Sequence, residues 1–156
     1  MQLRSQEYAV QDHEEQIDGV EHSTNPAVRV RVMVAIGINP STKRLLLRAA
    51  KLAKGLGGEL YAIHVHPPGG SSNVYEANVH WHLDQARQMG ATVEIVDSSD
   101  IAATLVDQVR KHGITHLVIG QSDISRWQEA VRGSIVNRIL RFRSGVDLYI
   151  VTDPGQ

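Results

Sequence analysis

The sequence contains no cysteine. Disulfide bonds, thiol catalysis and zinc-thiolate sites are therefore excluded, and a cytoplasmic location fits this composition best. No run of about 18 apolar residues occurs, so we expect no membrane-spanning helix. The first residues are polar and acidic, and they lack the charged-then-apolar pattern of a secretory signal.

Three common catalytic or cofactor signatures are also missing. The sequence has no G-x-x-x-x-G-K-[ST] loop, no G-x-G-x-x-G after its first predicted strand and no G-x-S-x-G elbow. P-loop phosphotransferases, dinucleotide-dependent dehydrogenases and esterases are therefore not favoured. We expect Ser41, Ser122, Ser125 and Ser134 to be helix caps or loop hydroxyls, and we predict no catalytic residue and no enzymatic activity.

Charge is unevenly distributed along the 156 residues, whose net charge is −1. Residues 1–28 contain one Arg and six acidic residues, a net of −5, which leaves 15 basic and 11 acidic residues, about +4, for the remainder. We interpret 1–28, which lacks clear periodicity, as an acidic extension or linker and 29–152 as one folded domain. The extension is either a solvated tail or a competitor or spacer for an anionic ligand. We predict no nucleic-acid partner.

Strand and helix patterns alternate along residues 29–152. Apolar runs predict five strands: Val28–Ile36, Glu59–His66, Thr92–Val96, Thr115–Ile119 and Asp147–Val151. Amphipathic segments between them predict helices, the first with Leu45, Ala49, Leu52, Ala53 and Leu56 on its apolar face. Such alternation is typical of crossover units, so we predict an α/β fold with a mostly parallel sheet and helices on both faces.

The predicted helix Val74–Met89 has a weak apolar face. Its members are Val74, Ala77, Trp81, Ala86 and Met89. The histidines nearby, His80 and His82, do not share a helical face, because positions two apart diverge on a helix. We expect both to be polar surface residues.

His64 and His66 lie on one face of the second predicted strand. We expect His64 to be half-buried near the ligand-binding end of the sheet and His66 to be exposed. A metal site would require these histidines to meet a carboxylate such as Glu76 or Asp84. We do not favour that arrangement and predict no metal site.

The stretch from Gly120 to Arg143 carries the clearest binding signal. Gly120 ends the fourth predicted strand, and Gly133 and Ser134 precede a periodic segment, so the pattern predicts a strand, a long loop and a helix. Free backbone N–H groups at a helix start bind anions. Gly37 ends the first strand in the same way, and ligands of doubly wound sheets lie beyond such strand ends. We therefore predict a shared ligand crevice there.

These residues resemble the motif of the universal stress protein family. Gly120 and Gly133 stand thirteen positions apart with Ser134 next, as in nucleotide-binding members. Asp123 stands where that motif has its middle glycine, and Gly37 where ATP-binding members carry an acid. These two departures make us prefer sensing or docking to ATP turnover.

A closer resemblance is to the universal-stress-type domain of KdpD sensor kinases, over about residues 29–152. The segments VMVAIG (32–37), LLRAAKLA (46–53) and LVIGQSDISRWQEAVRGSIVNRIL (117–140) carry it. The spacing from Gly37-Ile38-Asn39 to Leu60–His64 is also similar to the cyclic di-AMP motif of some KdpD domains. The chain would be a stand-alone version of this domain or a fragment of a longer sensor.

The resemblance implies a Rossmann-like, open five-stranded parallel sheet with strand order 3-2-1-4-5. It also implies an adenine nucleotide, ATP or cyclic di-AMP, as ligand rather than a required cofactor, and a role in potassium or osmotic stress signalling. The implied nucleotide-binding residues are Gly37, Ile38, Asn39, His64, Gly120, Asp123, Arg126, Gly133, Ser134 and Ile135.

An alternative interpretation is a nucleotide-free interaction domain. It would form a homodimer, with the last strand, Asp147–Val151, pairing across the dimer axis, and it would dock on a sensor kinase or another stress protein.

Overall fold

The described part of the chain forms a five-stranded parallel sheet. The computed structural model describes residues 29–69, 72–130, 135–142 and 145–152. Their strand order is β3-β2-β1-β4-β5, which confirms the predicted order. The strands are β1 Arg31–Ala35, β2 Glu59–His66, β3 Thr92–Asp97, β4 His116–Gly120 and β5 Asp147–Val151. The helices are α1 Thr42–Gly55, α2 Asn73–Gln88, α3 Ile101–His112, α4 Gln121–Ala130 and α5 Ile135–Arg141.

Strand β1 lies at the centre of the sheet and is almost completely buried. Val32 pairs with Leu60 of β2 on one side and with His116 of β4 on the other. The chain leaves β1 toward β2 and later returns to the opposite side of β1 as β4, so the strand order reverses between β1 and β4. Their carboxyl ends therefore form the edge where a doubly wound sheet binds ligands.

Two apolar cores lie on opposite faces of the sheet. Alternate side chains of β1 point to opposite faces, so Met33 packs with α3, α4 and α5 while Val34 packs with α1 and α2. In this arrangement both faces of the central strands are covered. That explains why β1 and β4 are continuously apolar.

Two helices begin at the ligand-binding edge of the sheet with side-chain caps. The Ser72 hydroxyl accepts a hydrogen bond of 3.1 Å from the Tyr75 backbone N–H at the start of α2. The Asp100 carboxylate accepts one of 3.1 Å from the Ala103 N–H at the start of α3. These caps satisfy backbone donors that the helix leaves unpaired and fix where each helix starts.

The predicted loop after Gly120 is instead a helix over its first ten positions. Helix α4 follows β4 directly. Residues 131–134, which precede α5, lie outside the described residues. Ile124 and Trp127 are three positions apart, so they lie on one helical face, and both are buried against the α3 core. Asp123 in the first turn also suits the positive end of the helix dipole. The prediction of a long loop was therefore wrong for this segment.

Helix α2 buries a different face from the one predicted. Its buried residues are Val79, His82, Leu83 and Ala86. Val74 and Trp81 are 70% and 48% exposed. The prediction that His82 lies on the surface was therefore wrong, because His82 is next to Leu83 on the face that packs against the sheet.

The first helix, α1, differs from its predicted face in one position. Leu45, Ala49 and Ala53 are buried as expected, but Leu56 is 45% exposed. Leu56 follows the last helical residue, so the helix ends before this side chain reaches the sheet.

Candidate functional site

A cavity of about 210 Å³ lies at the carboxyl ends of β1 and β2. Its walls are mostly apolar, and the polar groups among them are an imidazole, a phenol and a guanidinium. The lining residues are Ala35, Ile36, Ile38, Ile63, His64, Val65, Pro67, Tyr75, Ile101, Leu105, Arg126 and Trp127. An apolar cavity with a few convergent polar groups is the usual form of a small-molecule site.

Asp123 is buried beside this cavity, with 2% of its surface exposed. Its Oδ1 accepts a hydrogen bond of 2.9 Å from the Asn39 side-chain amide and one of 3.2 Å from Arg126 Nη2. A buried carboxylate is costly unless it is paired and hydrogen-bonded, and these two side chains meet that requirement. Asn39, which follows β1, and Arg126, which lies three positions after Asp123 in α4, therefore hold the carboxylate in place.

Gly37 and Gly120 provide the space that the Asp123 carboxylate occupies. A Cβ atom placed on Gly37 would overlap with Asp123 Oδ1, and one on Gly120 would lie 3.1 Å from Asp123 Oδ2. The carboxylate thus packs directly against the backbone at the ends of both β1 and β4. Any side chain at position 37 would displace it.

The two departures from the universal stress motif therefore meet at one place. ATP-binding members are expected to carry an acid at the position of Gly37 and a glycine at the position of Asp123. Here the acid comes from α4 and its carboxylate lies against the end of β1. The exchange of the two residue types keeps a carboxylate at the strand end while it changes the element that supplies it.

His64 connects the end of β1 to helix α2 through both of its ring nitrogens. Its Nδ1 lies 2.8 Å from the Ile36 carbonyl oxygen, which can only accept, so Nδ1 carries the proton. The Tyr75 hydroxyl then donates to Nε2 at 3.0 Å. Burial lowers the pKa of His64 and raises the pKa of Tyr75, so both groups are neutral at physiological pH. His64 is fully buried rather than half-buried as predicted.

A second cavity of about 210 Å³ lies on the other side of Tyr75. The ring centroids of His66 and Tyr75 are 6.0 Å apart, and His66 Nδ1 is 3.4 Å from the exposed Asp97 carboxylate. Among the residues that the structure describes, no group of three or more histidine, aspartate or glutamate side chains is placed to hold a metal ion.

The predicted site residues fall into three groups. Those that line the first cavity are Ile38, His64 and Arg126. Those that pack around the carboxylate are Gly37, Asn39, Gly120 and Asp123 itself. Ile135 is buried at the start of α5, whereas Gly133 and Ser134 lie outside the described residues.

Helix α5, which follows those two positions, is attached to the start of α3. Arg138 Nη2 donates to Asp100 Oδ2 at 2.9 Å, and this bond holds the pKa of Asp100 below its ordinary value. Arg138 is thus paired within the fold. Ile135 and Ile139 bury the opposite side of the helix.

The tyrosine and the tryptophan of the cavity were not among the predicted site residues. Tyr75 lies in the first turn of a helix that begins at the carboxyl edge of β2, a location that brings its ring to the site. Trp127 contributed to the resemblance but was not predicted to line a cavity, because its segment was interpreted as a loop. A prediction of helix for 121–130 would have placed it correctly.

No helix in the described ranges is long and apolar enough to cross a membrane.

Comparison with known proteins identifies related sequences over most of the chain. Residues 29–151 match the universal stress protein family. The chain is 32% identical over 127 residues to the sensor protein KdpD of Mycobacterium tuberculosis and 28% identical over 131 residues to a putative sensor protein KdpD of Synechocystis. Each match covers 81% of this chain but only 15% and 35% of those relatives.

Solved structures show the same fold. One is a universal stress protein in complex with cAMP, with a TM-score of 0.59 and 22% identity, covering 80% of this chain and 97% of that one. Another is the universal stress protein from Archaeoglobus fulgidus in complex with dAMP, with a TM-score of 0.57 and 17% identity, covering 79% and 98%.

Proposed function

The chain belongs to the universal stress protein family, and from that premise we propose that it is a non-catalytic regulatory domain that binds an adenine nucleotide. The observation that carries this proposal is the mostly apolar cavity at the carboxyl ends of β1 and β2. Two solved proteins with the same fold are complexes with cAMP and dAMP. Both ligands contain adenine, which is a planar base suited to apolar walls.

The adenine base would lie in the cavity between Ile38, Val65 and Ile101. A volume of about 210 Å³ is below the usual range of about 300–1,000 Å³ for sites that enclose a whole drug-sized ligand. It suits a base with the sugar and phosphate outside. The neutral Tyr75 and His64 would provide polar contacts at one wall without placing a charge against the base.

The phosphate would lie toward Gly120 and the start of α5. Arg126 is the cation on this side of the cavity, and its side chain is 36% exposed. Asp123, whose charge would repel a phosphate, is covered and is bonded to Asn39 and Arg126. Phosphate contact with backbone N–H groups near Gly133 and Ser134 stays a prediction.

We propose binding rather than turnover because the sequence has no phosphate-binding loop with its lysine. By similarity to KdpD, the domain would act in potassium or osmotic stress signalling and report nucleotide binding to a sensor kinase. ATP and cyclic di-AMP are the two ligands we consider first. The cytoplasm is the compartment where both would be available.

Calorimetric titration of the full chain tests this proposal. Ligand-free protein is titrated with ATP, AMP and cyclic di-AMP, and we expect heat from at least one of them. Ile38→Trp, which places a large ring in the cavity, should abolish that heat. Leu47→Trp on the exposed face of α1 is the matched control and should bind like the parent protein.

The proposal fails if ligand-free protein gives no heat with any of the three nucleotides. It also fails if Ile38→Trp binds as well as Leu47→Trp does, because the ligand would then lie elsewhere.

A second candidate function is a homodimeric interaction domain that uses β5. This strand is at the edge of the sheet and carries two large exposed side chains, Tyr149 at 40% and Ile150 at 44%. An exposed hydrophobic edge strand is a template for pairing with another chain. Sedimentation equilibrium would show a dimer that Ile150→Lys weakens, while Ile95→Lys on the other edge strand, β3, leaves it intact. A monomer at all concentrations would contradict this candidate.

A further inference from the structure

Helix α1 carries an uncompensated basic surface. Its fourteen residues include five basic ones and no acidic one. The exposed members, with an exposed leucine between them, form what we call the basic face of α1: Lys43, Leu47, Arg48, Lys51 and Lys54. None of these four cations makes a hydrogen bond or ion pair with another described residue. The fifth, Arg44, donates to the Thr152 carbonyl oxygen.

Five other arginine or lysine residues of the described part have acidic partners, whereas Arg29, Arg110 and Arg141 have none there. The ion pairs are Arg31–Glu59, Arg87–Asp84, Lys111–Glu94, Arg126–Asp123 and Arg138–Asp100. On α1, by contrast, Arg48, Lys51 and Lys54 follow each other at spacings of three, so like charges are neighbours on the helix surface. Such neighbours destabilise a helix. An anionic partner on this face would relieve that repulsion.

A groove lies beside the carboxyl end of this basic face. Its volume is about 580 Å³, and it is bounded by Ala53, Lys54 and Gly58 on one side and Met89 and Gly90 on the other. It is at the amino edge of the sheet, opposite the proposed nucleotide cavity. The groove therefore offers apolar side chains, such as Leu60 and Met89, together with polar groups that include Lys54 and Glu59, and Glu59 is paired with Arg31.

The chain enters the domain next to this groove. The Val30 carbonyl oxygen accepts a hydrogen bond of 3.0 Å from the Glu59 N–H, and Gly58 lies so close to Val30 that a Cβ atom would clash with it. Val30, two positions after segment 1–28, thus lies beside Gly58. That segment, 1–28, has a net charge of −5 by sequence.

The sequence of 1–28 is complementary to the basic face and the groove. Near its end, the apolar residues Ile17 and Val20 alternate with the acids Asp18 and Glu21. Glu21 and Arg29 are eight positions apart, and an extended chain of that length spans roughly 26 Å. Helix α1 is about 21 Å long at 1.5 Å per residue. The acids can therefore reach every cation of the face.

We propose that the acidic segment 1–28 docks on the basic face of α1 in the same molecule and places an apolar side chain in the groove. The covalent connection gives the segment a high effective concentration at this surface, so weak contacts suffice. Because the contacts are between exposed charges, salt weakens the docking. Docking would cover this surface from acidic partners until it is displaced.

Zero-length carbodiimide cross-linking of the full chain tests the docking. The reagent joins carboxylates to amines, and the lysines of the chain are Lys43, Lys51, Lys54 and Lys111. At low salt we expect carboxylates of 1–28 to join Lys51 and Lys54 several-fold more often than Lys111, which lies on α3 and pairs with Glu94. At 1 M NaCl this preference should disappear. Equal yields at all four lysines, or no effect of salt, would overturn the proposal.

Cross-linking of a mixture of isotopically labelled and unlabelled protein shows whether the docked segment belongs to the same molecule or to another one. Cross-links within one isotope class support docking in the same molecule. Cross-links between the classes in equal measure show that a second copy supplies the segment, and cross-links to a co-purified protein show a different acidic partner. Either of the latter results would overturn the intramolecular proposal.

A charge-reversed variant gives a readout that does not depend on lysine chemistry. In Lys51→Glu/Lys54→Glu, the backbone amide resonances of residues 7–21 should move to the positions that the parent protein shows at 1 M NaCl. Lys111→Glu is the control and should leave them unchanged. Far-ultraviolet circular dichroism confirms that both variants are folded. If the resonances of residues 7–21 are unchanged in the folded double variant, the docking is contradicted.

Discussion

A charged side chain is buried and paired at one end of the sheet, whereas two lysines are exposed and without ion pairs to described residues at the other. At the carboxyl end, the Asp123 carboxylate is buried, and its partners Asn39 and Arg126 come from different elements. At the amino end, Lys51 and Lys54 are exposed and make no ion pair with another described residue. The carboxylate is thus paired by contacts within the domain, whereas the two lysines are open to an anion from outside it.

This difference shows where each end can bind. Buried, fully bonded polar groups are costly to rearrange, so the carboxyl end is preorganised and its shape selects a ligand. Exposed cations on a helix surface can adapt to many anions and are sensitive to salt. We therefore expect a defined small molecule at one end and the acidic segment 1–28 at the other.

The largest effect is expected from Gly37→Ala. The new methyl group would overlap with Asp123 Oδ1, so either the buried carboxylate or the backbone must move. Overpacking of this kind costs about 1–3 kcal/mol of folding free energy. Urea denaturation of the two proteins measures it.

The control for that prediction is the same substitution in an Asp123→Gly background. With the carboxylate removed, Gly37→Ala should cost less than about 0.5 kcal/mol relative to Asp123→Gly alone, because the atoms that the new methyl group would overlap are then gone. An equal cost in both backgrounds would show that Gly37 is required for its backbone conformation and not for its contact with Asp123.

A smaller effect is expected from Tyr75→Phe. The change removes the hydroxyl that donates to His64 Nε2 and leaves that buried nitrogen without its donor. We expect a loss of about 1 kcal/mol, the usual size for one hydrogen bond. Tyr61→Phe is the matched control, since its hydroxyl makes no hydrogen bond with a described residue, and it should have no measurable effect. Equal melting temperatures for the two variants would contradict the His64–Tyr75 bond.

The smallest effect concerns pH and His82. Burial lowers the pKa of His82, and its Nδ1 has no hydrogen-bond partner among the described residues. Below its ordinary pKa of about 6.5, the unfolded chain binds a proton that the native state does not, so stability falls as pH falls through that value. His64 contributes in the same direction.

His82→Leu should therefore flatten the decline in stability between pH 7 and pH 5.5, and at pH 7 it should change stability by less than about 1 kcal/mol. Thermal denaturation across this pH range measures both quantities. A steeper decline in the variant would show that His82 is protonated in the native state.

Most of the architecture could be predicted from the sequence. The apolar runs placed all five strands to within a few residues, and the resemblance to universal stress proteins supplied the strand order. Two local predictions were wrong for related reasons. In α2, apolar residues occur on more than one face. The predicted apolar face was therefore assigned to Val74 and Trp81, which are exposed, and not to Val79 and Leu83, which are buried. In 121–130, the loop was predicted from the spacing of the flanking glycines, and the helical spacing of Ile124 and Trp127 was not used.

The contacts of the site could not be predicted from the sequence. Gly37 and Asp123 were each recognised as departures from a motif, but they are 86 positions apart. Their contact depends on β1 and β4 being neighbours and on the start of α4. The His64–Tyr75 bond likewise depends on the rotation of α2 about its axis, which its weak periodicity did not determine.

Methyl NMR of the ligand-free full chain, titrated with ATP and with cyclic di-AMP, tests the central claim most directly. The methyl groups of Ile38, Val65 and Ile101 report on the cavity at the carboxyl end, and those of Ala53 and Met89 report on the groove at the amino end. We predict that at least one nucleotide shifts the first set and leaves the second unchanged. Shifts confined to the second set, or no shifts with either nucleotide, would contradict the account.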